Sequence, residues 1–585
     1  MENARVARIL GEIADITELI EGNPFKVRAY RRAAQVVDLL PRPVRELWRE
    51  RTLTDLPGIG ERIAAHIGEL VETGVCEEHQ RLTALVPPGI LELLRLEGVG
   101  PKTVGALWHT LGITSVDALE QACRDGSIMK IPRMGKVRAE SIRKAIERYR
   151  ARQGRMPIHR VLPYAESMLA RLREVPGVVR AEVAGSVRRR SETVGDIDLL
   201  VVSRDPAAVM QAFGKLPEVT LVTAEGPTRA SARLAIGLDV DLRVLPEESF
   251  GAALHYFTGS KSHNIAIRTR AVRMGRKVSE YGVFDRHGKR IGGRNEEDVF
   301  RAVKLPFIPP ELREDTGEIE AAEEGRLPRL VEEGDLRGDL HIHTKASSDG
   351  QSSLEEVAAM ARSLGYAYLA ITDHSRSRPL GLDEAALRKH VARIRALDRK
   401  LGGRPHLLAG IEVDILADGT LDLPLDLLAT LDCVVASVHS HFRQPREVMT
   451  ERIVRALSTG VVHILGHPSG RQIGSRDPYD YDLERVLQAA REFDVAMEIN
   501  AMPERLDLNE KACRLAKERG VSLVIDSDAH HVSHMHNIRY GVWVARRGWV
   551  EKGDVLNALP YEKLRARLRR KARRFLGAEL EPASP

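Results

Sequence analysis

Apolar positions change their period along the chain, and the changes divide it. Over the first 150 residues they recur at helical spacing, as in 63–71, 104–111 and 139–146, between short turns. The turns form an internal repeat, each copy opening a helix. The copies are Leu56-Pro57-Gly58-Ile59-Gly60, Leu96-Glu97-Gly98-Val99-Gly100-Pro101-Lys102 and a degenerate Ile131-Pro132-Arg133-Met134-Gly135-Lys136. From Ile158 onward, short β-rich runs such as 197–202 and 238–245 alternate with helical stretches. A Pro- and Glu-rich passage, 306–324, reads as a linker. After Gly338, short apolar strands recur, each ending in His, Asp or Glu before a helical segment. That rhythm predicts a parallel β/α architecture with ligands gathered at the carboxyl ends of its strands.

Composition narrows the class without naming it. A chain of 585 residues is too long for one core and divides into roughly three to five domains. With 43% hydrophobic and 29% charged residues it has a globular profile. The net charge of +6 permits nucleic-acid binding without requiring it, and the distribution says more. Basic residues crowd 130–155 and 563–574, and an acidic run occupies 311–324. Four scattered cysteines without a C-x-x-C pair point to a reducing cytoplasm and against a thiolate zinc site. The N-terminus lacks a signal-peptide core, and no apolar run reaches the ~18 residues of a membrane span. The expectation is a soluble cytoplasmic monomer with no membrane partner.

Glycines spaced G-h-G before a helix suit close approach to a phosphate. They allow positive φ, and the helix N-terminus beyond them supplies free N–H donors. Gly58, Gly60, Gly98, Gly100, Lys102 and Lys136 are therefore expected to touch DNA backbone, the third copy adding Lys130, Arg133 and Arg138. The first two copies resemble helix-hairpin-helix motifs. The lead-in Phe25-Lys26-Val27-Arg28-Ala29-Tyr30-Arg31-Arg32-Ala33-Ala34 resembles the N-terminal domain of family X DNA polymerases. The resemblance implies that Lys26 and Tyr30 hold a downstream 5′-phosphate. Relatives that excise 5′-deoxyribose phosphate use a lysine where this chain has His66, and Arg62 replaces another. Neither forms an imine, so no such lyase activity is expected.

The densest constellation runs from Gly185-Ser186-Val187-Arg188-Arg189-Arg190 to Gly195-Asp196-Ile197-Asp198. On a strand, Asp196 and Asp198 project from one face, an arrangement suited to Mg²⁺ or Mn²⁺. Two ions there suit in-line attack of a 3′-hydroxyl on a triphosphate. Gly185 and Ser186 would supply the triphosphate turn, and Arg189 would neutralise charge. The G-S-x-x-R…G-D-x-D pattern resembles the nucleotidyltransferase fold. A third carboxylate is needed, and periodicity leaves both Asp239 and Asp241 in play; the family's D-h-R pattern selects Asp241 and leaves Asp239 without a role. Tyr256-Phe257-Thr258-Gly259-Ser260-Lys261-Ser262-His263-Asn264 resembles the family X nucleotide pocket. The resemblance implies that Tyr256 and Phe257 exclude ribose, that Asn264 reaches the base, and that Gly259 and Lys261 line the nucleotide. Glu280-Tyr281-Gly282-Val283-Phe284 resembles the close of the thumb in bacterial relatives.

In the C-terminal half, His341 and His343 share one strand face at chelating spacing, and Asp349 follows in a Ser-Ser-Asp-Gly turn. His374, Glu412, His439, His467, Asp528 and His530 each follow a short apolar run. The series resembles the polymerase-and-histidinol-phosphatase (PHP) domain, a distorted β/α barrel. The resemblance implies that these nine residues hold a cluster of zinc, manganese or iron, with Glu412 bridging. His441, His463 and His531 fall off the pattern and are read as supporting residues.

The expected architecture is a multidomain α/β chain. A helical domain with the first hairpin spans 1–80, a second helix-hairpin-helix region 81–155, and an α+β nucleotidyltransferase palm 156–250. A thumb spans 251–315, a linker 316–335, and the PHP barrel 336–575. The implied activity is template-directed extension of primer 3′ ends in short gaps from deoxynucleoside triphosphates, with metal-dependent 3′–5′ removal, in DNA repair. Apurinic-site or 3′-phosphate cleavage would be side activities. Two alternatives stand beside it: a repair nuclease whose polymerase half only grips DNA, and a small-molecule phosphatase fused to a DNA-binding module.

Overall fold

The computed structural model describes residues 3–20, 22–38, 44–56, 58–96, 98–132, 134–152, 154–347 and 349–576. The chain forms two compact units, Met1–Gln153 and Gly154–Pro585.

The first unit is helical, and a single core running from Val6 through Leu10, Ile67, Leu107 and Ile142 to Ile146 holds it together. The regions expected at 1–80 and 81–155 therefore share one interior. All three turns repeat one hydrogen bond: Ile59, Val99 and Met134 donate from their amides to Leu56, Leu96 and Ile131 at 3.1 Å. In each, the middle apolar side chain is buried, which anchors the turn. Gly58 and Gly98 take positive φ of 94° and 73°, as the G-h-G spacing predicts. Gly60, Gly100 and Gly135 then accept the first helical hydrogen bonds, from Ala64, Val104 and Ala139. Pro57, Glu97 and Arg133 lie outside the described residues.

The second unit begins with a five-stranded sheet, ordered Val178–Val183, Asp196–Ser203, Asp239–Val244, Arg229–Leu234, Val219–Glu225. Alternation along Asp196–Ser203 sends Ile197, Leu199 and Val201 to a core with Val161, Met168 and Phe213. Leu200 and Val202 face the other way, under Phe250 and Leu254 of the Phe250–Thr258 helix. Asp196 and Asp198 belong to that second face, at the strand's open N-terminal end. Beyond this helix come the Lys261–Arg273 helix and a three-stranded antiparallel sheet, Lys277–Ser279, Gly282–Phe284 and Arg290–Gly292.

The passage read as a linker is packed. Leu305, Ile308, Leu312, Ile319 and Ala322 join a core with Ile267 and Phe300. Arg313 is fully buried against Glu296, and Glu318 accepts a hydrogen bond from His263 at 2.7 Å with both side chains inaccessible. Its Pro and Glu content reflects a short 3₁₀ turn and a short helix, with buried Glu318 accepting the Asp315 and Thr316 amides, rather than freedom.

The final domain is a seven-stranded parallel sheet whose strands follow chain order from Gly338–Asp339 to Leu523–Asp526. Ile342 bridges Ala529, and the His343 amide donates to Ala529 O at 2.9 Å, so first and last strands meet at their carboxyl ends. The result is a nearly closed barrel, in line with the β/α rhythm. Among the described residues no helix is long and apolar enough to cross a membrane.

Candidate active sites

Strand register assembles the first site. Asp196–Ser203 and Asp239–Val244 run parallel with Asp196 beside Asp239 and Asp198 beside Asp241. The two candidates for the third carboxylate have different neighbours. Asp239 is about half exposed and paired with Arg233 at 3.0 Å. Asp241 takes a 2.5 Å hydrogen bond from Ser231 and sits 3.5 Å from Arg229. Burial first, then the charges of Asp196 and Asp241, push Asp198 up to about 7. Burial and Asp241 also raise Asp196. Carboxylates crowded until they resist ionisation suit a divalent cation, which is the fit Mg²⁺ or Mn²⁺ needs.

The turn ahead of the strand is shaped around Asp198. Gly185 has φ +60°, and a Cβ there would lie 2.3 Å from Asp198 Oδ2. Ser186 is buried with its hydroxyl unpartnered, a donor left free beside the carboxylates. Arg189 donates to Thr258 O at 2.5 Å and to Glu314 at 2.9 Å, so in this structure it is committed within the protein. Arg188 forms a double hydrogen bond to Glu296 at 2.7 Å, and Arg190 lies 4.2 Å over the Trp543 ring. Arg155 donates to the Thr193 carbonyl at 2.6 Å, and a Cβ added at Gly195 would lie 3.3 Å from its guanidinium. Phe257 lies under Arg243 at 4.3 Å, with Tyr256 edge-on to it. Asn264 donates to Tyr256 O at 2.6 Å, and its carbonyl oxygen is buried without a partner. Gly259 has φ +68° and ends the Phe250–Thr258 helix, and Lys261 begins the next one, exposed. Arg155, Ser231 and the Arg188–Glu296 pair carry no motif, and only the fold reveals them.

The second site gathers all nine residues of the histidine-rich series. Glu412, 1% exposed, is its hub. One carboxylate oxygen lies 2.9 Å from His467 Nε2, 3.3 Å from His439 Nε2 and 3.5 Å from His341 Nε2. The other lies 2.7 Å from His374 Nδ1 and 3.6 Å from His343 Nε2. Asp528 sits 3.2 Å from His343, and Asp349 3.0 Å from His374 and 3.4 Å from His530. Three overlapping sets have ligand atoms within 4.8 Å of one another: His343, Asp349, His374 and His530; His341, His343 and Asp528; His374, Glu412 and His439. His341 Nε2, both nitrogens of His343 and Asp349 Oδ1 are buried and make no well-directed hydrogen bond. Donors left bare in a dry interior fit metal ions, and mixed N/O ligation fits the borderline ones. Burial, His530 and His374 push His343 down to about 4, so it stands neutral and ready to ligate.

Sequence reasoning missed the partners behind these ligands. Glu498 is fully buried, hydrogen-bonds His341 Nδ1 at 2.7 Å and takes the His467 amide. Asp414 accepts from His439 Nδ1, and Asn500 reaches Asp528 at 3.0 Å. Such partners fix the tautomer and aim of a ligand. His463 is structural as expected, its two nitrogens meeting the Val434 amide and Leu568 carbonyl. A salt bridge joins the surroundings of the two sites: Arg471, four residues past His467, pairs at 2.7 Å with Glu192, four residues before Asp196.

In the helical unit, Gly58, Gly60, Gly98, Gly100, Lys102 and Lys136 are all exposed at the turn tips. Lys26 is held by Glu78 at 2.6 Å, and buried Tyr30 hydrogen-bonds His66 at 2.7 Å. Both residues of the expected 5′-phosphate pocket thus have protein partners here.

The helix-hairpin-helix domain family matches residues 1–76, and the SAM-like helix-hairpin-helix tandem matches 90–148. The DNA polymerase beta thumb matches 253–314, and the PHP domain matches 339–502. The DNA polymerase/3′-5′ exonuclease PolX of Bacillus subtilis is 37% identical over 575 residues, covering 97% of this chain and all of that protein. The chain belongs to the PolX family. Its barrel also has shorter relatives: a probable phosphatase of Thermoanaerobacter sp. strain X514 is 32% identical over 41% of this chain and 98% of its own length. Another, from Caldanaerobacter subterraneus, is 34% identical over 33% of this chain and 75% of its own. For a PolX member the carboxylate triad and the imidazole cluster fall in different domains, one in the sheet before the thumb match and one within and beyond the PHP match.

Proposed function

We propose that this chain is a DNA polymerase that extends primer 3′ ends in short gaps at Asp196, Asp198 and Asp241, and a 3′–5′ exonuclease at the barrel. The observation that carries the reading is the register pairing of Asp198 with Asp241 beside Asp196, in a chain collinear with a PolX relative. The triad would hold Mg²⁺ or Mn²⁺, which when bound acidifies the 3′-hydroxyl and neutralises the departing pyrophosphate. The Gly185–Ser186 turn offers amides and a free hydroxyl to the triphosphate, while Tyr256 and Phe257 wall its sugar. Exposed hairpin tips grip the sugar-phosphate backbone without reading bases.

At the barrel, the nine residues from His341 to His530 would hold zinc, manganese or iron, which when bound delivers a hydroxide at neutral pH. Glu498 and Asp414 hold His341 and His439 in the ligating orientation. The working form is a cytoplasmic monomer acting on gapped or primed DNA in repair.

The shorter phosphatase relatives favour one competing reading, in which the barrel hydrolyses small phosphomonoesters. One experiment separates them: a labelled gapped duplex with Mn²⁺, with and without nucleotides, using wild type, Asp198→Ala and His341→Ala. Extension should vanish in the first variant and digestion in the second. Digestion of nothing but a small phosphomonoester would transfer the barrel to the phosphatase reading.

A further inference from the structure

The turn that carries Arg189 is held by a side chain from the barrel. Arg547, last residue of the Ile538–Arg547 helix, donates to the backbone carbonyl of Arg189 at 2.9 Å and to Glu314 Oε1 at 3.0 Å. The same carboxylate oxygen receives Arg189 Nε at 2.9 Å. The three side chains are only 16%, 27% and 8% exposed for Arg189, Glu314 and Arg547, so water screens the triangle weakly. Glu510 is the second and looser carboxylate of Arg547, at 3.5 Å.

One carboxylate oxygen shared by two guanidinium groups cannot cancel both. We propose that Arg547 is a positioning residue for nucleotide binding: by sharing Glu314 it keeps positive charge on Arg189 for an incoming triphosphate, and by holding the Arg189 carbonyl it fixes the turn. The inference rests on the polymerase reading of the Asp196 site. Without Arg547, Glu314 pairs wholly with Arg189 and the turn loses a donor. The effect belongs to nucleotide affinity, because Arg547 touches neither the triad nor the imidazole cluster.

The test uses the full chain as Arg547→Gln, Arg547→Lys, Glu314→Gln and the Arg547→Gln/Glu314→Gln double variant. Single-nucleotide insertion on a gapped duplex gives KM and kcat, with nuclease rate and thermal midpoint measured beside them. Arg547→Gln should raise the nucleotide KM about tenfold, as expected for losing a charge-assisted hydrogen bond, with kcat and nuclease rate held within about twofold. Arg547→Lys should lie near wild type. Removing the counter-charge as well should bring KM in the double variant about threefold below that of the single variant, short of full recovery because the hydrogen bond to the Arg189 carbonyl stays lost. If Arg547→Gln does not fold, Glu314→Gln alone decides: an unchanged or lower KM supports the proposal and a raised one overturns it. An unmoved KM in Arg547→Gln, or a double variant as poor as the single, overturns it while leaving the polymerase reading intact. A wild type that inserts no nucleotide removes both.

Discussion

Asp198 offers a prediction in which stability reports on a metal site. Its carboxyl keeps its proton up to about 7 against an ordinary 3.8, through burial and the charges of Asp196 and Asp241. A folded-state value above the unfolded one means that stability falls as pH rises between the two and stays low above the upper. A carboxyl displaced that far costs the ionised folded state about 4 kcal/mol, at about 1.4 kcal/mol per tenfold in proton affinity. Asp198→Asn removes the cost while keeping the shape. In chelator at pH 8 the variant should therefore melt higher than wild type by several degrees, at about 1–2 °C per kcal/mol, below the scale of smaller domains because the unit is larger. The gap should shrink steadily below pH 7 and nearly close by pH 4. Mg²⁺ should raise the wild-type midpoint at pH 8 and leave the variant almost unmoved at that site. Calorimetry of both proteins in parallel is the assay, since the shared barrel contributes equally to each. Equal midpoints in chelator at pH 8, or equal gains on adding Mg²⁺, would refute the crowding of carboxylates and with it the metal site.

Four further outcomes follow from contacts already described. Gly185→Ala should cost at least a hundredfold in extension and leave digestion unchanged in a primer assay, because its Cβ would meet Asp198 Oδ2 at 2.3 Å and φ is +60°. Glu498→Gln should weaken metal retention by the barrel roughly 10–100-fold, read by elemental analysis after dialysis, because His341 loses its orienting carboxylate. Lys26→Ala should remove any preference for a 5′-phosphorylated gap over a hydroxyl one in a binding titration. Glu78→Gln, which removes the charge paired with Lys26 at 2.6 Å, should instead strengthen that preference severalfold.

What was legible in the sequence depended on whether a residue's role is set locally. Most of the residues proposed as barrel ligands stand in or just after short apolar strands, where a His, Asp or Glu breaks an apolar run, so they could be picked out within a few residues, while Asp349 lies in a turn. The glycine turns were as visible, because a positive φ at Gly58 and Gly98 is a local demand. Choosing between Asp239 and Asp241 was different in kind: both share a face, and the environments supplied by Ser231 and Arg233 arise from pairing with a neighbouring strand. The linker misreading has the same origin. Pro and Glu between 306 and 324 look free until Glu318 is seen to meet His263 and Arg313 to meet Glu296, partners drawn from elsewhere in the fold.

The residues that hold the sites in working order share that property most strongly. Glu498 lies 157 positions from His341, and Arg547 lies 358 from Arg189. A lone Glu inside Ala496–Asn500 carries no pattern, since a buried acid on a core strand is written in the same letters as an exposed one on an edge. Its meaning comes from the imidazole that the barrel's closure brings to it. A motif can therefore name the atoms that would touch metal or substrate, whereas the groups that keep a ligand neutral, aimed or charged are assigned by topology. Substitution at Glu498 or Arg547 accordingly tests the fold and the chemistry together, and the paired variants that restore charge balance are what separate one from the other.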